Sequence, residues 1–328
     1  MLKSFLTVFE PFVLSLLGTV LLATVLPPRG AFVAIFDTAA TAGIVLLFFL
    51  HGAKLSRQAI WDGMRNWKLH LSVLAVTFGL FPLLGLGLSH LPFVAAPVAA
   101  GLLFLTLLPS TVQSSIAFTA VARGNVAAAV CSASFSNLLG IVLTPALVAL
   151  LMHLGAGSSG GELAAVDKIV IQLLVPFVAG HLLRPLIGGF VARHKPLVTI
   201  VDRGSILLVV YTAFGAAVVE GLWHRVSGFD LSVILILCSL LLALVLAATW
   251  AIGRIFHWPR ADAIVLQFCG SKKSLASGVP MAGVLFPAAQ VGVILLPLML
   301  FHQIQLIACA VIARRYAEQD PTLTRNPS

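Results

Sequence analysis

Charged residues make up only 9% of the 328-residue chain, whereas soluble domains carry about a quarter. Acids are the scarcer sign, 11 against 20 lysines and arginines. A surface so poor in charge cannot face water throughout, which excludes a soluble enzyme, a nucleic-acid module and a disordered tail. The net charge of +9 does not revive nucleic-acid binding, because the basic residues are scattered between apolar runs rather than clustered. Cysteine is sparse as well. Cys131, Cys238, Cys269 and Cys309 lie inside apolar runs with no C-x-x-C spacing and no histidine partner. They read as small buried hydrophobes, not as a disulfide framework or a zinc site. Missing too are H-E-x-x-H, G-x-S-x-G, a P-loop and paired carboxylates. The nine histidines, among them His51, His90 and His224, stand mostly near the ends of apolar runs, where interface anchoring accounts for them.

What is present is apolar. The chain is 60% hydrophobic with a mean hydropathy of +1.08, the composition of a polytopic membrane protein. A helix needs about 20 apolar residues to cross the bilayer core. Such runs lie near residues 11–27, 33–51, 69–90, 96–122, 125–151, 164–187, 199–221, 229–253, 260–285 and 289–313, ten in all. The first follows Lys3 in the manner of a signal peptide. However, Glu10 and Pro11 interrupt it, and Leu26-Pro27-Pro28-Arg29 lacks small residues at cleavage spacing, so it reads as a span.

With both termini in the cytoplasm, fifteen basic residues fall inside: Lys3, Lys54, Arg57, Arg65, Lys68, Arg123, Arg184, Arg193, Lys195, Arg203, Arg254, Arg260, Arg314, Arg315 and Arg325. Outside lie three, Arg29, Lys168 and Arg225. The asymmetry supports an even number of spans.

The chain also repeats itself. Residues 107–117, LLPSTVQSSIA, align with 266–276, LQFCGSKKSLA, at an offset of 159, and Pro11-Phe12-Val13 resembles Pro176-Phe177-Val178. Two five-span halves follow, residues 1–155 and 156–328, joined near Gly155–Gly161. Five is odd, so the halves are oppositely oriented. The fold class is therefore all-α, with ten transmembrane helices as two inverted repeats and with broken helices 4 and 9 that cross. Inverted repeats with broken helices mark secondary transporters.

Polar residues gather at the two interruptions: Ser110, Thr111, Gln113, Ser114 and Ser115 in the fourth run, and Gln267, Ser271, Lys272, Lys273, Ser274 and Ser277 in the ninth. Backbone left unpaired there must be buried in protein or face a watery cavity, so the two clusters form a candidate binding site. Any one serine could instead bond back to its own helix. Ser132, Ser136 and Asn137 in the fifth run, and His302, Gln303 and Gln305 in the tenth, serve a site or packing equally well.

A lysine at mid-bilayer costs roughly 2.5–3.5 kcal/mol. Lys272 and Lys273 therefore suggest purpose: one reaches the cavity while the other snorkels, or both reach water through a cytoplasmic vestibule. Neither interruption contains a carboxylate. Asp37 and Glu220 are distant candidate counter-ions. A cationic site without an acid favours an anionic ligand.

The chain resembles the bile acid:sodium symporter family over nearly its whole length. The resemblance is carried by Ala122-Arg123-Gly124-Asn125-Val126-Ala127 and by Leu143-Thr144-Pro145, which match the family's ARGD-V-A and LLTP runs. It implies a panel of spans 1, 2, 6 and 7 and a core of spans 3–5 and 8–10. The family's sodium-holding Glu and Gln of the ninth helix correspond to Phe268 and Lys272, and its third-helix Gln to Thr77. Its Ser-Asn pair corresponds to Ser114-Ser115 and its fifth-helix Thr to Asn137, so any sodium kept by the family pattern falls to Ser114, Ser115 and Asn137. The Phe268–Ser274 run is similar to the divergent branch that holds the seventh member of solute carrier family ten.

The expectation is a multi-pass inner-membrane secondary transporter of a small organic anion, working by alternating access in the lipid bilayer. It needs no cofactor, no nucleic acid and no catalytic residue. Its coupling ion is sodium or a proton, with Lys272 either standing in for sodium's charge or carrying the proton. A non-transporting regulator or scaffold on the same fold is the alternative. Substrate identity and oligomeric state are not encoded in any motif.

Overall fold

A computed structural model describes residues 11–54, 66–152, 170–222 and 226–319. Lys3, Glu10, Arg57, Arg65, Lys168, His224, Arg225 and Arg325 and the Gly155–Gly161 stretch fall outside them. Helices make up nearly all of the described chain, and no strand occurs among the described residues. In chain order they are α1 (Pro11–Val25), α2 (Ala31–Lys54), α3 (Trp67–Ser89), α4 (Ala96–Leu107), α5 (Gln113–Val121) and α6 (Val126–Leu151). Then follow α7 (Val170–Arg193), α8 (Lys195–Val219), α9 (Gly228–Ile255), α10 (Arg260–Gly270), α11 (Leu275–Leu285) and α12 (Ala288–Glu318).

Seven of these, α2, α3, α6, α7, α8, α9 and α12, are long and apolar enough to cross a membrane. The first apolar run forms a shorter helix, and the fourth and ninth are each broken in two, between Leu107 and Gln113 and between Gly270 and Leu275. Large side chains such as Leu186, 80% exposed, and Leu150, 68% exposed, line the outside of the protein. Such an exterior is tolerable only against lipid.

Two further irregularities were not foreseen. Residues Val76–Leu80 of α3 and Val170–Leu174 of α7 form π turns, each followed two residues on by a proline, Pro82 and Pro176. Proline offers no N–H and its ring crowds the carbonyl four residues back, so the helix widens by one residue to pass it.

The chain divides into two units. The first comprises Met1–Leu55, Val148–Phe229 and Ala276–Leu296. Its centre is the close approach of α2 and α7, where glycines replace side chains. A Cβ at Gly52 would stand 2.0 Å from the carbonyl oxygen of Phe177, and one at Gly180 1.9 Å from that of Phe49. Lys54 and Asp202 form an ion pair between α2 and α8, and Tyr211 donates to the Leu26 carbonyl at 2.8 Å.

The second unit comprises Ser56–Leu147, Asp230–Leu275 and Pro297–Ser328, and it holds both helix breaks. Close backbone approach recurs here. Gly85 leaves room for Thr106, and Gly140 for Pro109. The turn after α5 passes through Arg123 at φ 58°. Asn125 then caps α6, its Oδ1 accepting from the Ala128 N–H at 3.1 Å while its Nδ2 donates to Asp262 at 3.0 Å. Asn66 donates to the other oxygen of Asp262, so one acid at the start of α10 ties together the beginnings of α3, α6 and α10.

Candidate functional site

Each helix break leaves carbonyls without intrahelical donors, and in the first break those from Leu105 to Ser110 can be traced. Leu105 accepts from the Leu108 N–H. Thr106 and Leu108 accept from the Lys273 ammonium, both at 2.7 Å. Leu107 accepts from the Thr144 hydroxyl at 2.8 Å. Pro109 accepts from the Ser274 N–H at 2.9 Å, and Ser110 from Asn137 Nδ2 at 2.7 Å. The Ser110 N–H donates to Ser136 Oγ at 2.9 Å.

The two breaks lie against each other within the second unit. Ser110 Oγ donates to the Cys269 carbonyl at 2.6 Å, and Ser115 Oγ to the Phe268 carbonyl at 3.1 Å. The offset of 159 maps Ser110 onto Cys269, Ser115 onto Ser274 and Pro109 onto Phe268. Thus the Ser110–Cys269 contact joins repeat-equivalent residues. Ser115 to Phe268 and Ser274 to Pro109 are the same pairing with the partners exchanged.

Both lysines are fully buried, which corrects the expectation that one snorkels or that both reach water. Their surroundings differ. Lys273 Nζ donates to the Thr77, Thr106 and Leu108 carbonyls at 2.8, 2.7 and 2.7 Å. Its own backbone is clasped by Gln305, whose Oε1 accepts from the Lys273 N–H at 2.9 Å while Nε2 donates to the Lys273 carbonyl at 3.0 Å. The other hydrogen of Gln305 Nε2 goes to His302 Nδ1 at 2.9 Å, which leaves the imidazole proton on Nε2.

Lys272 Nζ makes one hydrogen bond, to the Ser114 carbonyl at 2.9 Å, and stands 4.0 Å from the Phe118 ring centroid and 5.2 Å from that of Phe268. Among the described residues neither lysine is paired with a carboxylate. The suggested counter-ions Asp37 and Glu220 are exposed.

The remaining candidates separate. Thr77, Thr111 and Ser114 each bury a hydroxyl that has no partner. Gln267 turns away to donate to the Leu246 carbonyl on α9 at 3.0 Å, and Ser271 bonds back to Gln267. Phe268, Ser274 and Ser277 are buried, Gln303 is half-buried, and Gln113 is exposed. Ser132 meets His70 at 2.7 Å rather than the breaks. The sequence reading missed the backbone carbonyls of Thr77, Thr106 and Leu108 and the hydroxyl of Thr144. Pro82, two residues past the π turn, is the signal that could have exposed the first. In a π turn the Thr77 carbonyl would accept from residue 82, and proline has nothing to give.

The sequence profile of the SBF-like CPA transporter family matches residues 10–318. The Pseudomonas aeruginosa protein PA2026 is 58% identical over 313 residues, covering 94% of this chain and 93% of its own. The Escherichia coli protein YfeH, named as a symporter, is 52% identical over 318 residues, covering 96% and 95%. Sodium/bile acid cotransporter 7 of Rattus norvegicus is 28% identical over 281 residues, covering 84% and 82%. With the profile matched along almost its full length, the chain is a multi-span membrane protein that belongs to the SBF-like CPA transporter family.

Proposed function

We propose that the protein is a secondary active transporter of a small organic anion, working by alternating access across the bacterial inner membrane with both termini in the cytoplasm. The observation that carries this reading is Lys272: a buried ammonium with one carbonyl partner, no carboxylate, and the unpartnered Ser114 hydroxyl on the residue it touches. An uncompensated cation in low dielectric attracts a counter-charge strongly. A ligand carboxylate or sulfonate supplies one without permanently neutralising the site. The exchanged contacts between the two breaks support ten spans in two inverted repeats.

Sodium at the family's positions would be opposed by the charge of Lys272. A cation at Ser114 would stand beside the Lys272 ammonium, held 2.9 Å from the Ser114 carbonyl. The reading is therefore sodium-independent binding, with Lys272 supplying the positive charge.

The test is thermal unfolding of the purified chain against a panel of organic anions that includes a bile acid, short carboxylates and a sulfonate. At least one should raise the melting temperature equally in NaCl and KCl. A ligand at 100 times its Kd adds about 2.7 kcal/mol. Lys272→Met should weaken that anion by roughly 10- to 100-fold, the worth of a charge-assisted hydrogen bond. Full retention of binding in Lys272→Met would falsify the assignment. A purely sodium-dependent shift would restore the family's ion site.

A further inference from the structure

Lys273 is held in a way that its neighbour is not. Its nitrogen faces three backbone carbonyls, those of Thr77, Thr106 and Leu108, at 2.7–2.8 Å. A neutral amine carries two N–H groups and a lone pair, and a third carbonyl would then oppose lone pair to lone pair. Three acceptors at this distance match the three N–H donors of an ammonium. The Phe81 ring centroid at 4.1 Å and that of Phe78 at 5.9 Å turn further negative faces toward it.

None of the three carbonyls has another donor to turn to. The Thr77 oxygen is orphaned by the π turn and Pro82, and those of Thr106 and Leu108 by the end of α4. Thr77 adds a buried, unpartnered hydroxyl on the same residue. A cluster of backbone oxygens without a carboxylate is the donor set that suits a monovalent cation, as in ion-selective filters.

We propose that this cradle is a monovalent-cation site, built from backbone and filled by the protein's own Lys273 ammonium. The tethered charge excludes free cations from the cradle and bolts the break after α10 to α3 and α4. Gln305 fixes the lysine's backbone so that the side chain enters at the right height. The inference goes beyond transport and holds for a chain that binds no substrate at all.

Removing the side chain beyond Cβ should open the cradle to a free cation. The experiment is thermal unfolding of full-length Lys273→Ala, in chlorides of choline, sodium, potassium, lithium and n-propylammonium at matched ionic strength. The last of these reproduces the deleted atoms. The expected result is a saturable rise in melting temperature over choline with at least one of the four smaller cations, absent from the wild type. It should also be absent from Lys273→Met, whose uncharged side chain still fills the space. A folded Lys273→Ala that is indifferent to all four overturns the proposal, and so does an equal rescue of Lys273→Met.

Should Lys273→Ala fold in no salt, the wild-type chain labelled with 15N-lysine decides. One ammonium signal protected from solvent exchange and retained in Lys272→Met supports the tethered cation. Absence of such a signal overturns it. Neither readout depends on the organic anion, so failure here and failure of the transport reading are separable.

Discussion

Gly180→Ala is expected to leave little folded protein in the membrane. The added methyl would sit 1.9 Å from the Phe49 carbonyl oxygen and 2.8 Å from its carbon, both backbone atoms that no rotamer change can move. The helices α2 and α7 must separate to admit it. The reciprocal contact of Gly52 with Phe177 is only a turn away, so the separation undoes that packing too. In membranes, helix association rests on such close backbone packing of small residues rather than on a hydrophobic drive. Overpacking of a core costs about 1–3 kcal/mol and occasionally more. A clash of backbone with backbone belongs at or above the top of that range. Gly204→Ala is the control: its Cβ meets nothing within 4 Å, and helix propensity alone should leave it neutral or improve stability by up to about 1 kcal/mol. Monodispersity and melting temperature of a fluorescent fusion compare the three proteins. A Gly180→Ala chain that melts with the wild type would mean that α2 and α7 are not packed through these glycines.

Gln305→Leu is the second large expected loss. Leucine fills nearly the same volume but leaves the Lys273 N–H and C=O without partners, and His302 loses its donor. Membrane hydrogen bonds average only about 0.6 kcal/mol when alternatives exist. The two backbone groups at this break have no helical partner to fall back on, and an orphaned buried group costs about 1–3 kcal/mol. A destabilisation of about 2–6 kcal/mol follows from the two together. His302→Ala, which removes a single contact with the same glutamine, should cost well under half of that. Melting curves of the two variants side by side provide the check. Equal losses would mean that the clasp on Lys273 contributes nothing beyond packing.

The helix breaks and their polar clusters were legible in the sequence, because serines, prolines and lysines in the middle of an apolar run are hard to place in an unbroken membrane helix. What was not legible is what the lysines hold. Lys272 drew attention by its alignment with a sodium-binding glutamine, yet Lys273 is the one whose nitrogen is fully coordinated. Its ligands are main-chain oxygens of Thr77, Thr106 and Leu108, and a carbonyl looks the same under every side chain. Gln305 stood between packing and site for a similar reason, since its partner is the backbone of Lys273. Thr144 lay in plain view within Leu143-Thr144-Pro145. Its target, the Leu107 carbonyl 37 positions earlier, is a matter of tertiary structure alone. Gly52 and Gly180 were equally silent, because a glycine at a helix contact is the absence of a side chain.

The full accounting of carbonyls from Leu105 to Ser110 bears on what the site can recognise. Every backbone acceptor along that stretch is already engaged. What remains uncommitted nearby is two N–H groups of Lys272, which can only donate, and the hydroxyls of Thr111 and Ser114, which can donate or accept. With its carbonyls engaged and two ammonium hydrogens open, the break is weighted towards donors. An arriving N–H or alcohol proton finds only the two hydroxyl oxygens open, whereas an oxygen bearing free lone pairs can meet the Lys272 ammonium as well. On the proposed reading, such hydrogen-bond polarity would favour molecules rich in bare oxygens.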